Sequence, residues 1–194
     1  MARSLVLFDF DGTLYKKDSL LDFTIFCKGK FYYCFGMILL MPWLIGLKLG
    51  VFYNGWVKQR FLNLFYKGMD VADFKRCAEK FALQQIRENL HPRHFKVFLN
   101  HIESGHDVFI VTASSPLWIA PWSRKYNVQV IGTTIEVQDG KITGRFSSEN
   151  CYGTEKVRRI EKVVNLADYD EIFVYGKGRG DREMLDLIRQ KPIS

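Results

Sequence analysis

Two carboxylates two residues apart follow the first apolar run of the chain. The run at residues 4–10 leads into the sequence DFDGTL at residues 9–14. A D-x-D-G sequence is usually a solvated turn, but here it directly follows a short apolar segment typical of a buried parallel strand. Gly12 lets the chain leave the extended conformation, so that both carboxylates can face one ligand. We therefore predict that Asp9 and Asp11 are functional residues of a reactive or ligand-binding site.

Two further apolar runs, Asp107–Thr112 and Glu171–Tyr175, each follow a segment with a helical pattern. Strands that alternate with helices predict an α/β fold in which helices cover a parallel sheet. Ligands of such sheets bind at the carboxyl ends of the strands. The three strand ends here carry DFDGT, TAS and GKGRGD. Polar side chains are therefore predicted to meet at one edge of the sheet.

The segment between the first two strands is too long for a simple crossover and is mostly helical in pattern. Asp70 is placed to cap a helix whose apolar residues recur at spacings of three and four from Val71 to Phe81. We therefore predict an inserted helical unit. Later in the chain, Asp139 and Gly140 stand between alternating apolar residues, which predicts a β-hairpin with a two-residue turn.

Composition limits the classes of function. With 47% hydrophobic and 25% charged residues, the chain is neither disordered nor fibrous. Its net charge of +7 favours anionic partners such as phosphate esters or an anionic membrane. The cations are dispersed and no recognition module is present, so no nucleic acid partner is expected. The four cysteines lack zinc-site spacing and paired neighbours, so we expect no disulfide. The apolar run at residues 5–8 is too short for a signal peptide, and we expect a cytoplasmic protein.

Four motifs in order make the chain resemble the haloacid dehalogenase-like superfamily, in its phosphoserine-phosphatase-like subfamily IB. They are DFDGTL at residues 9–14, VTAS at 111–114, the hairpin and lysine stretch at 133–156, and YGKGRGDREML at 175–185. The resemblance covers nearly the whole chain. It implies a three-layer Rossmann-like core with a parallel sheet at residues 1–15 and 100–194. A helical cap at residues 16–99 is implied between the first and second motifs.

This resemblance also implies a Mg²⁺-dependent phosphatase that works through an aspartyl-phosphate. Asp9 would be the nucleophile, and Asp11 would protonate the leaving oxygen and later activate water, with Thr112 and Lys156 completing the catalytic set. The residues that would bind phosphate are Gly12, Thr112, Ala113, Ser114 and Lys156. The groups that would hold Mg²⁺ are Asp9, the backbone carbonyl of Asp11, and Asp181.

Lys177 departs from the family pattern, because it stands where the first acid of a G-D-x-x-x-D motif belongs. A cation beside a divalent ion is unfavourable by several kcal/mol at an effective dielectric constant of about 20. Asp181 could move inward and Lys177 outward, which would leave a weakened metal site. Alternatively, Lys177 could pair with Asp9 and Asp11 in place of the metal. The alternative function is a catalytically impaired relative that binds phosphate or phospholipid.

An uncharged stretch in the cap begins at Phe31 and ends at Leu47, between lysines on both sides. As one helix it would be about 26 Å long, slightly short of a hydrocarbon core of roughly 30 Å, and Pro42 would break or kink it. A re-entrant or interfacial hairpin at a membrane is therefore predicted, with a helix pair buried in the cap as the alternative. The cap resembles that of the phosphatidylglycerophosphatase C group. That likeness and the strongly apolar cap imply a lipid phosphate substrate. The flanking lysines and the aromatic residues of the stretch suit contact with the cytoplasmic face of a membrane.

Overall fold

A computed structural model describes residues 3–190 of the 194-residue chain. The described part contains a four-stranded parallel sheet in the order β3, β2, β1, β6, together with an antiparallel pair, β4 and β5. The strands are β1 Ser4–Phe8, β2 Asp107–Thr112, β3 Gln129–Gly132, β4 Ile135–Gln138, β5 Lys141–Phe146 and β6 Glu171–Tyr175. The predicted α/β fold with a parallel sheet is confirmed. The first strand ends two residues earlier than predicted, because the chain turns after Phe8 and the Tyr15 amide bonds back to the Phe10 carbonyl.

Helices occupy most of the remaining described chain. The α-helices are α1 Ser19–Lys28, α2 Lys30–Lys48, α3 Asn54–Tyr66, α4 Val71–Gln84, α5 Pro92–Glu103, α6 Pro116–Ser123, α7 Thr154–Val163, α8 Arg182–Leu185 and α9 Leu187–Gln190. Short 3₁₀ turns lie at Arg87–Asn89, Arg124–Tyr126, Leu166–Asp168 and Arg179–Asp181. The first four α-helices form the insertion predicted between the first two motifs.

Both faces of the sheet are covered. All residues of the central strand β1 are buried, and alternate residues belong to two separate apolar clusters. Phe8 lies with Phe98 of α5, their ring centroids 5.5 Å apart, whereas Leu7 lies in the cluster of Ile160 from α7 and Met184 from α8. Alternate strand residues point to opposite faces. The sheet therefore forms the middle of three layers, as predicted.

The β4–β5 hairpin joins the cap rather than the main sheet. Its turn residues Asp139 and Gly140 both have positive φ, 50° and 73°, as a two-residue hairpin turn of type I′ requires, so the predicted hairpin is confirmed. On β5, a Cβ at Gly144 would overlap the backbone of Asn63 in α3. Strand and helix therefore approach each other at backbone distance.

The cap is packed on the core through aromatic rings. Asp70 caps α4 by accepting a hydrogen bond from the Ala72 amide, as predicted. Phe23 of α1 stacks on Trp118 of the core helix α6, with ring centroids 5.2 Å apart. The predicted boundary between residues 99 and 100 falls inside α5, and it stays a prediction.

The uncharged stretch forms one helix, α2, so the predicted hairpin and the alternative buried helix pair are both wrong. A Cβ at Gly36 would overlap the Phe65 ring, and one at Gly46 would overlap the Phe52 ring. Close packing therefore holds α2 on both sides of Pro42. Pro42 itself is exposed, so water can satisfy the carbonyl that lacks its helical partner.

Cys27 and Cys77 form a disulfide, contrary to the expectation from their spacing. The two residues are 50 positions apart in sequence, and the packing of α1 against α4 brings their Cα atoms to 6.1 Å. Such a pair has no local signature, because only the tertiary fold makes it adjacent. Disulfides are typical of oxidising compartments, so the cysteines no longer support a reducing one. Of the other two cysteines, Cys34 is exposed and Cys151 is buried.

Candidate active site

Asp9 lies directly after β1 and is almost completely buried, with 7% of its surface exposed. Its Oδ1 accepts a hydrogen bond from Lys156 Nζ at 2.7 Å, and its Oδ2 accepts one from Thr13 Oγ1 at 2.9 Å. Thr13 can reach back because Gly12 has a positive φ of 78° and turns the chain. Burial raises the pKa of Asp9 to about 6, although the charge of Lys156 opposes the rise.

Lys156 holds two carboxylates together. It extends from the first turn of α7 and is 1% exposed. Its Nζ donates to Asp9 Oδ1, to Asp181 Oδ1 at 2.6 Å, and to the Val111 carbonyl at 2.8 Å, so all three of its donors are used. Burial opposes the charged form, but the charges of Asp9 and Asp181 outweigh it and raise the pKa of Lys156.

Asp11 faces the end of β2. Its Oδ2 accepts hydrogen bonds from Ser114 Oγ at 2.5 Å and from Thr112 Oγ1 at 3.4 Å, and its Oδ1 accepts one from the Ser19 amide at 2.6 Å. Thr112 Oγ1 also accepts a bond from the Ser114 amide at 3.0 Å. The predicted catalytic pair therefore lies beside the predicted phosphate-binding loop formed by Thr112, Ala113 and Ser114.

Asp181 is buried, whereas Lys177 is exposed and its side chain lies beside Gly12, where an added Cβ would be 3.7 Å from Lys177 Cε. Asp181 is 3% exposed, and its Oδ2 accepts hydrogen bonds from the Lys177 amide at 3.1 Å and the Gly178 amide at 2.7 Å. The Lys177 side chain is exposed and forms no ion pair within residues 3–190. Lys177 forms no ion pair with Asp9 or Asp11 in this structure, and Lys156 pairs with Asp9 from the buried side. Asp181 is inward, as the other alternative requires, but the Lys177 side chain stays next to the DFDGTL loop.

Within residues 3–190, the site holds no metal-binding cluster made of side chains alone. In the part of the chain that the structure describes, no group of three or more His, Cys, Asp or Glu side chains is placed to hold a metal. Asp9 and Asp181 face the ammonium group of Lys156, while Lys177 adds a cation where an acid was expected. Mg²⁺ requires a nearly octahedral set of oxygen ligands. Mg²⁺ is commonly held by one or two carboxylates together with waters and substrate oxygens, so the ligand roles of Asp9, the Asp11 carbonyl and Asp181 stay predictions.

Three residues at the site were not singled out from the sequence. Thr13 bonds to Asp9, and the Ser19 amide at the start of α1 bonds to Asp11. Lys58 extends from α3 towards the loop, and its Nζ donates to the Ala113 carbonyl at 3.4 Å. Thr13 belongs to the DFDGTL motif and could have been found there. Lys58 has no local signal, because it is one of many lysines in a basic chain.

Comparisons with known proteins identify the family. A family model described as haloacid dehalogenase-like hydrolase matches residues 6–186. Protein CicA of Caulobacter vibrioides is 36% identical over 191 residues, which cover 96% of this chain and 84% of that protein. A protein of unknown function from Bordetella pertussis Tohama I has the same fold, with a TM-score of 0.80 at 24% identity over 97% of this chain and 88% of the other. A substrate-bound phosphoserine phosphatase has a TM-score of 0.66 at 16% identity, over 96% and 83% of the two chains. The chain belongs to the haloacid dehalogenase-like hydrolase family, and its fold is that of the phosphoserine-phosphatase-like branch.

Proposed function

We propose that this chain hydrolyses a phosphate monoester through a covalent intermediate on Asp9. The observation that carries the proposal is the buried Asp9 carboxylate at the end of β1. Lys156 holds it at 2.7 Å, and Asp11, two residues away, bonds to Ser114 in the loop after β2. A nucleophile, an acid or base, and a cation therefore meet at one edge of the sheet, where ligands of such folds bind.

The chain's own residues supply each step of the proposed reaction. The Asp9 carboxylate attacks phosphorus, the bond from phosphorus to the ester oxygen breaks, and protonated Asp11 gives its proton to that oxygen. Water then attacks the same phosphorus, Asp11 takes the water proton, and the bond from phosphorus to Asp9 breaks. Free phosphate leaves and both carboxyl groups return to their starting states. Lys156 offsets the negative charge that builds up around Asp9.

We favour a lipid phosphate, such as phosphatidylglycerophosphate, as the substrate. The cap that faces the loop is rich in apolar side chains, and the helix that carries Lys58 also packs beneath the exposed apolar helix α2. A small zwitterionic ester such as phosphoserine would instead need paired polar groups on the cap. The charged cap residues to test for that role are Asp18 and Lys58. Burial and the charge of Asp11 raise the pKa of Asp18.

A second candidate function follows from Lys177. If the reaction needs a divalent cation, the lysine at the position expected for a metal-binding acid leaves a protein that binds phosphate or phospholipid without turnover. Lys58, next to the loop after β2, would still attract the phosphate group in such a protein.

The test is phosphate release from phosphatidylglycerophosphate and phosphoserine, each with and without Mg²⁺. Turnover by the unaltered chain that disappears in Asp9→Asn supports the proposed reaction, whereas turnover that survives this change excludes Asp9 as the nucleophile. An inactive chain that gains Mg²⁺-dependent turnover in Lys177→Asp favours the second candidate. Lys162→Asp, at an exposed lysine of α7, is the matched control for the charge change.

A further inference from the structure

One side of α2 is apolar and uncovered along its whole length. Its exposed residues recur at spacings of four and three, and we call this row the α2 apolar face. Its members are Phe31, Phe35, Ile38, Pro42, Ile45 and Leu49, the last being the residue that ends the helix. Apart from Pro42, each is between 53% and 89% exposed. A contiguous exposed apolar row of this kind marks a contact with an apolar partner.

The charges around the α2 apolar face have one sign. From Phe23 to Met69 the chain contains no Asp or Glu. The cations in this stretch are Lys28, Lys30, Lys48, Lys58, Arg60 and Lys67. Lys30 and Lys48 stand at the two ends of α2 and are both exposed. An apolar row between cations is complementary to a bilayer with anionic headgroups.

A second copy of this chain would fit the face less well. If two α2 helices paired side by side, parallel or antiparallel, the lysines at the ends of one would meet the lysines at the ends of the other. Acidic residues that could neutralise them are missing from the whole stretch. Like charges brought together at an interface oppose association.

The opposite side of α2 is packed against the cap. Leu40 is 3% exposed, and Gly36 lies against the Phe65 ring of α3. Phe65 is itself 3% exposed and stacks with Tyr33, their ring centroids 6.2 Å apart. By length and composition α2 could cross a membrane, but crossing would strip these contacts from α3. The helix can meet a bilayer with its packing intact only if it lies along the surface.

We propose that the α2 apolar face is a membrane-docking surface that inserts into the interface of an anionic bilayer, with α2 parallel to the membrane plane. The apolar side chains enter the boundary between headgroups and acyl chains, and Lys30 and Lys48 contact anionic headgroups at the two ends. This docking does not depend on turnover, because it uses no residue of the candidate active site.

The test is flotation of the full chain with vesicles of phosphatidylcholine alone or of phosphatidylcholine mixed with phosphatidylglycerol. We expect binding to the anionic vesicles that weakens as salt is raised. Ile38→Glu should lower the partition coefficient at least about tenfold, because it replaces an inserted apolar side chain with a charge. The matched control is Val163→Glu on α7, which packs on the face of the sheet opposite the cap; this exposed apolar residue receives the same charge, and binding should stay unchanged.

A second measurement needs no disruptive substitution. Cys34 is exposed on α2 whereas Cys151 is buried, so a polarity-sensitive maleimide can be attached to Cys34 without reductant. Its emission should shift to the blue on anionic vesicles and stay unchanged on neutral ones. Equal loss of binding in Ile38→Glu and Val163→Glu, no vesicle binding, or no emission shift would overturn the proposal. A lipid-free dimer, seen by light scattering and dissociated by Ile38→Glu, would also overturn it and assign the face to a second copy.

Discussion

Replacing Lys156 with methionine tests whether this lysine holds the candidate site together. Methionine keeps most of the apolar stem but removes the charge and all three donors. Asp9 and Asp181 would then be left as neighbouring buried carboxylates with no cation between them. The prediction is a loss of stability whose size depends on pH, because the stranded carboxylates can be neutralised by protonation.

The two ion pairs of Lys156 set the size of the expected stability loss. At 2.7 and 2.6 Å, each ion pair amounts to about 6 kcal/mol at an effective dielectric constant of about 20, and most of this offsets the cost of burying the charges. Removing one partner of a buried pair costs about 3–5 kcal/mol. The pKa of Asp9 is about 6 beside Lys156 and rises further without it. Above pH 6 the folded variant therefore holds a proton that the folded wild type has lost.

This extra proton fixes the sign of the pH dependence. Between pH 6 and pH 8, the loss caused by Lys156→Met should grow by up to about 2.7 kcal/mol, at about 1.4 kcal/mol per pH unit. The assay is urea unfolding followed by the fluorescence of the buried Trp118 and Trp122. The control is Lys162→Met, at an exposed lysine of the same helix, which should change stability little at either pH.

A stability loss below about 1 kcal/mol at pH 8, or an equal loss at both pH values, would refute the reasoning. Adding Asp181→Asn to Lys156→Met removes one of the stranded charges. It should therefore recover part of the loss at pH 8 and less at pH 6.

Three further predictions follow from single contacts. Gly36→Val should lower the free energy of unfolding by more than about 1 kcal/mol, because the added carbons overlap the Phe65 ring; urea unfolding measures this. Cys77→Ser should lower the free energy of unfolding by up to about 4 kcal/mol without reductant, since the bond to Cys27 closes a loop of 50 residues. This loss should be no larger than the loss that reductant causes in the wild type. In an active preparation, kcat/KM should fall below about pH 6, where Asp9 becomes protonated and is no longer nucleophilic, and a rate independent of pH from 5 to 8 would contradict this role.

Local sequence patterns were sufficient to predict much of the fold. The runs at β2 and β6 were predicted to the residue, because short apolar segments bounded by turns identify buried strands. The turn at Asp139 and Gly140 and the cap at Asp70 are also set by residues close in sequence. These features depend on local backbone preferences, which residues close in sequence determine without any distant contact.

Features that depend on distant contacts were missed. Lys58 reaches the loop only because α3 packs over it, and the Cys27–Cys77 bond exists only because α1 packs against α4. The continuity of α2 depends in the same way on contacts along its inner side. A proline within an apolar stretch predicts a break, but the tertiary packing on both sides of Pro42 outweighs that preference.

The Cys27–Cys77 bond also changes how the chain is connected. It closes a covalent ring that contains all of α2 and α3. The exposed turn around Gly50 lies inside this ring, so a protease that cuts there produces two pieces that remain linked. Without reduction, a single cleavage in the ring therefore releases no fragment, and the apolar helix cannot be separated from the rest of the molecule.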